Sequence, residues 1–252
     1  MRLLIALRFL TVIPVLKRYK ASAEEVGASQ GYFPLVGLFL GAILVAVNWL
    51  FNLILPSSLV DVFLIITILI LTGALHIDGF IDTCDAFFVQ KEPEERWRIM
   101  SDSRVGSFGV IGAFCLLLLL YVSLRSIPET YKMTALLLMP VLSRWSVVYV
   151  MFAFPYAKPE GLGKAFKAQA SWQRFVLATA FMLASVLGWL VFQRPVLGLM
   201  GLAVIFVVWL AAAVTGWLLQ RRFAGLTGDS YGAVNEVIQV LVLILFNLIS
   251  RW

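Results

Sequence analysis

Seven apolar stretches, each seventeen residues or longer, recur along this 252-residue chain and decide the solvent it folds in. They run from about Tyr32 to Leu55, Val60 to Ile77, Phe108 to Leu124 and Met133 to Phe154, then Phe175 to Phe192, Val196 to Leu219 and Ala233 to Ile249. At about 1.5 Å of rise per residue, such helices reach across most or all of a hydrocarbon layer about 30 Å thick. Hydrophobic residues make up 62% of the chain and charged residues only 13%, roughly half the charge of a soluble domain. A water-soluble globule is excluded, because this much apolar surface would remain exposed. The expectation is an all-α polytopic membrane bundle of about seven transmembrane helices, forming a single integral membrane domain over residues 1–252. Met1 to Val15 alternates Arg2 and Arg8 with leucines, isoleucine and phenylalanine until Pro14. It is too short to span and suits an N-terminal interfacial helix.

Lys and Arg are distributed unevenly between alternate connections. Fifteen, among them Arg2, Arg8, Lys17, Arg18, Lys20, Lys91, Lys158 and Lys164, fall on the side that holds the N-terminus. Four, Arg125, Lys132, Arg194 and Arg251, fall on the other, and Arg144 lies within a span. By the positive-inside rule the N-terminus is cytoplasmic and the C-terminus outside. The net charge of +6 is explained by these loops, so no nucleic-acid partner is implied. Cys84 and Cys115 have no metal or disulfide spacing and are expected to be buried thiols without a special role. Gly37 and Gly41 form a small-xxx-small pair, a weak pointer to a homo-oligomer.

Three polar constellations interrupt the apolar pattern, all on the expected cytoplasmic side. In His76-Ile-Asp78-Gly-Phe-Ile-Asp82-Thr-Cys-Asp85 the carboxylates stand at i, i+4 and i+7, on one face if the second span continues through them. Three like charges beside lipid call for a hard cation, and Mg²⁺ takes carboxylate oxygens while keeping room for phosphate and water. His76, the sole histidine, is expected to be a hydrogen-bonded orienting residue rather than a ligand. In Asp102-Ser-Arg104-Val-Gly106-Ser-Phe-Gly109, Gly106 and Gly109 would admit close approach of an anion to a helix start. Arg104 would grip phosphate, and Asp102 would add a metal ligand. In Gly225-Leu-Thr-Gly228-Asp229-Ser-Tyr-Gly232-Ala-Val-Asn235-Glu236, Asp229 is a further candidate ligand and Gly228, Asn235 and Glu236 candidate substrate contacts. The bland alternative is a loop capped by Asp229. Arg144 requires either a buried carboxylate or a substrate phosphate. Acidic ligands beside glycine-rich turns and Arg point to phosphoryl-group transfer at the membrane face.

With these residues in view, the sequence resembles the cobalamin synthase family of adenosylcobinamide-GDP ribazoletransferases. The likeness is carried by Phe9-Leu-Thr-Val-Ile-Pro14, Tyr32-Phe-Pro-Leu-Val-Gly37, the His76 to Asp85 segment with Asp102-Ser-Arg-Val-Gly106, and Gly225 to Gly232. These span nearly the whole chain, and the HxDGxxDTxD pattern is the specific part; Ala86 stands where a glycine is expected. The resemblance implies that α-ribazole or its 5′-phosphate attacks the activated phosphate of adenosylcobinamide-GDP and that GMP leaves. It also implies Mg²⁺ dependence and a cytoplasmic-membrane location. Asp82 or Asp85 would take the proton of the attacking hydroxyl. The aspartate spacing also resembles that of CDP-alcohol phosphotransferases, but their DGxxAR signature is absent, since Asp82 stands where Ala-Arg would begin. A secondary transporter is the remaining alternative; the charges gather at one face rather than the midplane, and no inverted repeat is visible.

Overall fold

The computed structural model describes residues 1–15, 18–193 and 197–251; Lys17, Arg194, Pro195 and Val196 lie outside them. The described residues are mostly helical, and among them the sole β feature is an isolated bridge between Tyr156 and Leu226. In order, the helices are α1 Arg2–Leu10, α2 Ala23–Ala28, α3 Phe33–Phe51, α4 Ser57–Leu71, α5 Leu75–Phe87, α6 Pro93–Met100, α7 Ser107–Ser126, α8 Glu129–Ala153, α9 Leu162–Gln169, α10 Trp172–Gln193, α11 Leu197–Phe223 and α12 Gly228–Ile249. The expected spans correspond to α3, α4, α7, α8, α10, α11 and α12. Among the described residues, five helices are by themselves long and apolar enough to cross a membrane. The count reaches seven if the bent pairs α4–α5 and α9–α10 are each one span.

The bends matter more than the count. The second span was expected to continue to Ile77 and beyond, but it stops at Leu71. Gly73 and Ala74 both adopt left-handed backbone, with φ of +58° and +57°, which turns α5 by 90° from α4. Left-handed Ala74 is unfavourable by about 1–2 kcal/mol, so tertiary contacts hold the turn. Val12 N–H donates to Leu71 O at 2.8 Å, so the segment after α1 closes the end of α4. Turned in this way, α5 runs across the end of α4 rather than continuing it. The α9–α10 pair repeats the geometry at 92°. Polar helices α2, α5, α6 and α9 thus form a layer over one end of the bundle.

At the centre stands α8, 83% of whose spanning window is buried inside the protein. Gly37 and Gly41 pack α3 onto it: a Cβ at either would lie 2.3–2.5 Å from the carbonyl oxygens of Pro140 or Leu137. The small-residue pair therefore serves a contact within the chain and lends no support to a homo-oligomer. The thiol expectation also changes, since Cys115 is exposed on α7 and Cys84 half-buried. At the far end of the bundle Lys132 of α8 pairs with Asp61 of α4 at 2.6 Å, both buried.

Candidate active site

The site begins where two helices cross without side chains between them. Gly79 of α5 lies against the first turn of α12, so that a Cβ there would be 2.8 Å from Asp229 O and 2.9 Å from its Cα. One turn on, a Cβ at Gly232 would be 2.7 Å from His76 O. Only glycine permits such an approach. It brings Asp229, some 150 residues distant in sequence, into the field of the α5 aspartates.

Asp229 does not cap α12; its Oδ2 instead meets Lys158 Nζ at 3.3 Å and the Thr227 hydroxyl at 3.4 Å. The cap is Thr227, whose buried hydroxyl accepts from Ser230 N–H at 3.1 Å. Asp78 is exposed and Asp82 and Asp229 half-buried. Burial, with the charges of Asp78, Asp229 and Asp85 behind it, pushes the Asp82 carboxyl up to about 7, and Lys158 opposes the shift. These carboxylates share one electrostatic environment.

Asp85 has a different occupation. Its Oδ2 accepts from Gly106 N–H and its Oδ1 from Gly109 N–H, both at 2.7 Å. It thereby caps the start of α7 from another helix, where the dipole favours an anion. A Cβ on Gly106 or Gly109 would lie 2.4 Å from that carboxylate. The two glycines do admit an anion to a helix start, but the anion is Asp85 rather than a substrate phosphate. Asp85 is accordingly withdrawn from the expected metal and base set.

Asp102 is also engaged: Arg104 Nη2 donates to its Oδ2 at 2.7 Å and Arg104 N–H to its Oδ1 at 3.0 Å. These bonds hold its carboxyl down at about 2. The Arg104 side chain, held on Asp102, is 87% exposed. Lys158 was counted in the sequence only as a loop charge, yet its Nζ lies 3.3 Å from Asp229 Oδ2 and 3.4 Å from Ser101 Oγ. It ties the loop after α8 to both constellations. Its flanking prolines, Pro155 and Pro159, were the one visible sign of a fixed turn.

His76 is buried, with Nδ1 lacking any hydrogen-bond partner, so it is not the hydrogen-bonded orienting residue expected. Burial, and Arg144 after it, keep its imidazole well below its ordinary pKa and hence neutral. It lines a cavity of about 210 Å³ together with Asp78, Gly228, Asp229 and Tyr231. Phe9 of α1, Phe33 of α3 and Phe166 of α9 form its apolar wall. The sequence had given α1 only an interfacial role and left these rings unassigned.

Deeper in the bundle, Glu236 Oε1 accepts from Asn235 Nδ2 at 3.0 Å and from Gln239 Nε2 at 2.8 Å. Arg144 donates to Ser143 Oγ at 3.0 Å and makes no ion pair among the described residues; its Nε and Nη2 are unpartnered. Arg144, Glu236 and Gln239 surround a small cavity of about 20 Å³, too small for a phosphate. None of Arg144, Asn235 and Glu236 lines the larger cavity, so the structure does not join them to the aspartate group.

Among the described residues no group of three or more His, Cys, Asp or Glu side chains could hold a metal by itself. Mg²⁺ is commonly held by one or two carboxylates plus substrate phosphates and water. The crowded, partly buried carboxylates around Asp82 fit such a substrate-completed site.

Residues 2–247 match the family described as cobalamin-5-phosphate synthase. The chain is 38% identical over 242 residues to an adenosylcobinamide-GDP ribazoletransferase of Desulforamulus reducens, covering 96% of this chain and 94% of the relative. It is 36% identical to that of Geotalea daltonii, with 95% and 94% covered. With that of Desulfitobacterium hafniense the identity is 37%, over 96% and 95%. No solved structure matches.

Proposed function

The chain belongs to the cobalamin-5-phosphate synthase family, which performs the final nucleotide-loop assembly step of cobalamin biosynthesis, and we propose that the carboxylates at the α5–α12 crossing carry out the transfer. The observation that carries the reading is the close packing of Gly79 on Asp229, which sets Asp229 within the field that acts on Asp82, while Asp78 and Asp229 line an apolar cavity. It favours a transferase over a transporter, because these carboxylates gather at one helix crossing beside the cavity.

In the reaction a ribose hydroxyl of α-ribazole, or of its 5′-phosphate, attacks the phosphorus of adenosylcobinamide-GDP that bears the corrinoid. A new P–O bond forms, the bond to the GMP oxygen breaks, and GMP leaves. Asp82 receives the hydroxyl proton, being the half-buried carboxylate without a hydrogen-bonded commitment. Lys158 and Arg104 lie on neighbouring loops and neutralise the diphosphate. Mg²⁺ would be held by one or two of Asp78, Asp82 and Asp229 together with the substrate, and would supply further charge neutralisation there. Apolar helices place the protein in a bilayer. We assign it to the cytoplasmic membrane with the site facing inward, on the Lys/Arg asymmetry. Thiol labels at positions near Lys91 and Lys164 should react only from the cytoplasmic side.

The direct test is GMP release by purified protein in detergent with adenosylcobinamide-GDP, α-ribazole and Mg²⁺. Release that requires both substrates and stops with chelator is expected. Absence of GMP with both substrates and Mg²⁺ present would overturn the assignment, and release undiminished by chelator would remove the metal from it.

A further inference from the structure

We propose that Lys158 is the exchangeable counter-ion of Asp229: its ammonium and a divalent cation compete for that one carboxylate, and the displaced ammonium turns to the diphosphate of the substrate. The proposal rests on the transferase reading above, with Asp229 among the residues that hold Mg²⁺, and gives the lysine a step of its own in loading the site.

The first argument is the contrast between two lysine–aspartate pairs among the described residues. Lys132 and Asp61 meet at 2.6 Å with side chains 1% and 0% exposed. Lys158 Nζ stands 3.3 Å from Asp229 Oδ2, and these side chains are 21% and 27% exposed. A dry, tight pair is costly to open. A long pair in contact with water is worth at most about fivefold in an equilibrium constant, so Asp229 passes to a doubly charged ion at little cost. The neighbouring lysines are committed elsewhere: Lys164 donates to Pro159 O at 2.7 Å, and Lys167 to Met151 O at 3.1 Å and Phe152 O at 3.0 Å.

The second argument is that the loop, not the ion pair, fixes where Lys158 stands. Ala157 N–H donates to Leu226 O and Leu226 N–H to Pro155 O, both at 2.8 Å. Gly225, at φ +142°, admits this pairing, since a Cβ there would lie 2.8 Å from Ala157 N. Tyr156 stacks on Tyr231 of α12 with ring centroids 6.4 Å apart. The backbone beside Lys158 is thus bonded to the residue preceding the Thr227 cap, and it stays there when the ion pair opens. A flexible four-carbon stem lets the ammonium move while its Cα does not. Ser101 Oγ lies 3.4 Å from the same Nζ and leads into the loop where Arg104 holds Asp102. A released ammonium therefore remains within the site.

The test is Mn²⁺ binding to the full chain in detergent, read from the loss of the free-ion EPR signal, since Mn²⁺ suits the same oxygen ligands as Mg²⁺. Lys158→Met keeps the stem and the backbone pairing, so folding is little affected, and it removes the competitor. The Kd for Mn²⁺ should fall about fivefold. Lys158→Arg, whose fork grips a carboxylate at two points, should raise that Kd severalfold. In an Asp229→Asn background, Lys158→Met should change it by less than about twofold. With saturating metal, Lys158→Met should raise the KM for adenosylcobinamide-GDP about tenfold and leave the KM for α-ribazole within about twofold. One substitution thus tightens the metal and loosens the diphosphate substrate, which loss of a structural tie would not do. Unchanged or weakened Mn²⁺ binding in Lys158→Met overturns the proposal, as does Mn²⁺ binding by none of these proteins. Tighter Mn²⁺ with an unchanged KM for adenosylcobinamide-GDP overturns the transfer of the ammonium to the substrate. A wild type that binds Mn²⁺ yet releases no GMP removes the transferase reading itself, a result separate from these.

Discussion

The backbone of Asp229 occupies the space where a side chain on Gly79 would begin. The proposed metal-holding carboxylate is thus positioned by an absence: α12 can bring Asp229 to the α5 aspartates only because Gly79 and Gly232 carry nothing between the helices. Gly79→Ala would set a methyl 2.8 Å from Asp229 O, and neither backbone can yield without parting the helices. Overpacking of this kind costs about 1–3 kcal/mol. The expected outcome is a lowered unfolding temperature and transferase activity reduced by at least tenfold, because Asp229 moves with the helix. Near-normal turnover in Gly79→Ala would show that the close crossing is not needed for the site.

Asp82 gives the metal-free protein an unusual pH response. Its carboxyl is raised from an ordinary 3.8 to about 7, first by burial and then by Asp78, Asp229 and Asp85. Between those values the folded state binds more protons than the unfolded, so stability falls as pH rises through the window and is lowest above about 7. A salt-bridged aspartate would do the reverse. In chelator, the melting temperature should drop between pH 5 and pH 8; at pH 8, Mg²⁺ should restore it. Asp82→Asn should flatten the pH slope and weaken the Mg²⁺ effect. A melting temperature that rises with pH in chelator would contradict this electrostatic picture.

What could be seen in the sequence was set by hydropathy, and what could not was set by contacts between distant segments. The spans were legible because lipid demands unbroken apolar runs, which need no partner to be recognised. The turn before α5 was not. Gly73 alone is weak punctuation, and nothing in an alanine announces that Ala74 will be left-handed. The kind of role played by Gly106 and Gly109, admitting an anion to a helix start, could be inferred from residue type. The identity of that anion, Asp85, depends on how α5 lies across α7. Lys158 and Tyr231 were hidden for the same reason: each acquires its meaning only from the helix it faces.

Asp85 and Asp82 stand three residues apart on one helix, yet their variants should fail differently. Asp85 holds two N–H groups of α7 at 2.7 Å, and hydrogen bonds to a charged group are worth about 1.5–3 kcal/mol. Asp85→Asn can accept only one of them well, so a loss of roughly 2 kcal/mol is expected, with residual activity at low temperature. Asp82→Asn should keep its melting temperature at low pH and lose turnover by about 10²-fold or more. Thermal unfolding beside GMP release separates the two. Equal loss of turnover at full stability in both would return Asp85 to the catalytic set.

The buried ion pair at the opposite end of the bundle supplies the control for all of these. Lys132 and Asp61 meet at 2.6 Å with side chains 1% and 0% exposed, and Glu129 stands 3.5 Å from the same ammonium. The pair joins the start of α4 to the start of α8, far from the polar layer over the other end. Removing one partner of a buried pair costs about 3–5 kcal/mol, because the remaining charge is left uncompensated, whereas replacing both by apolar residues is often neutral. Asp61→Asn should therefore lower the unfolding temperature more than any active-site substitution. The KM values of the folded fraction should not change. The double variant Asp61→Leu, Lys132→Met should recover most of the loss. A double variant no better than Asp61→Asn would mean that the charges, not their pairing, hold α4 against α8. A change in KM would mean that the two ends of the bundle are coupled, which nothing in the geometry of the α5–α12 crossing requires.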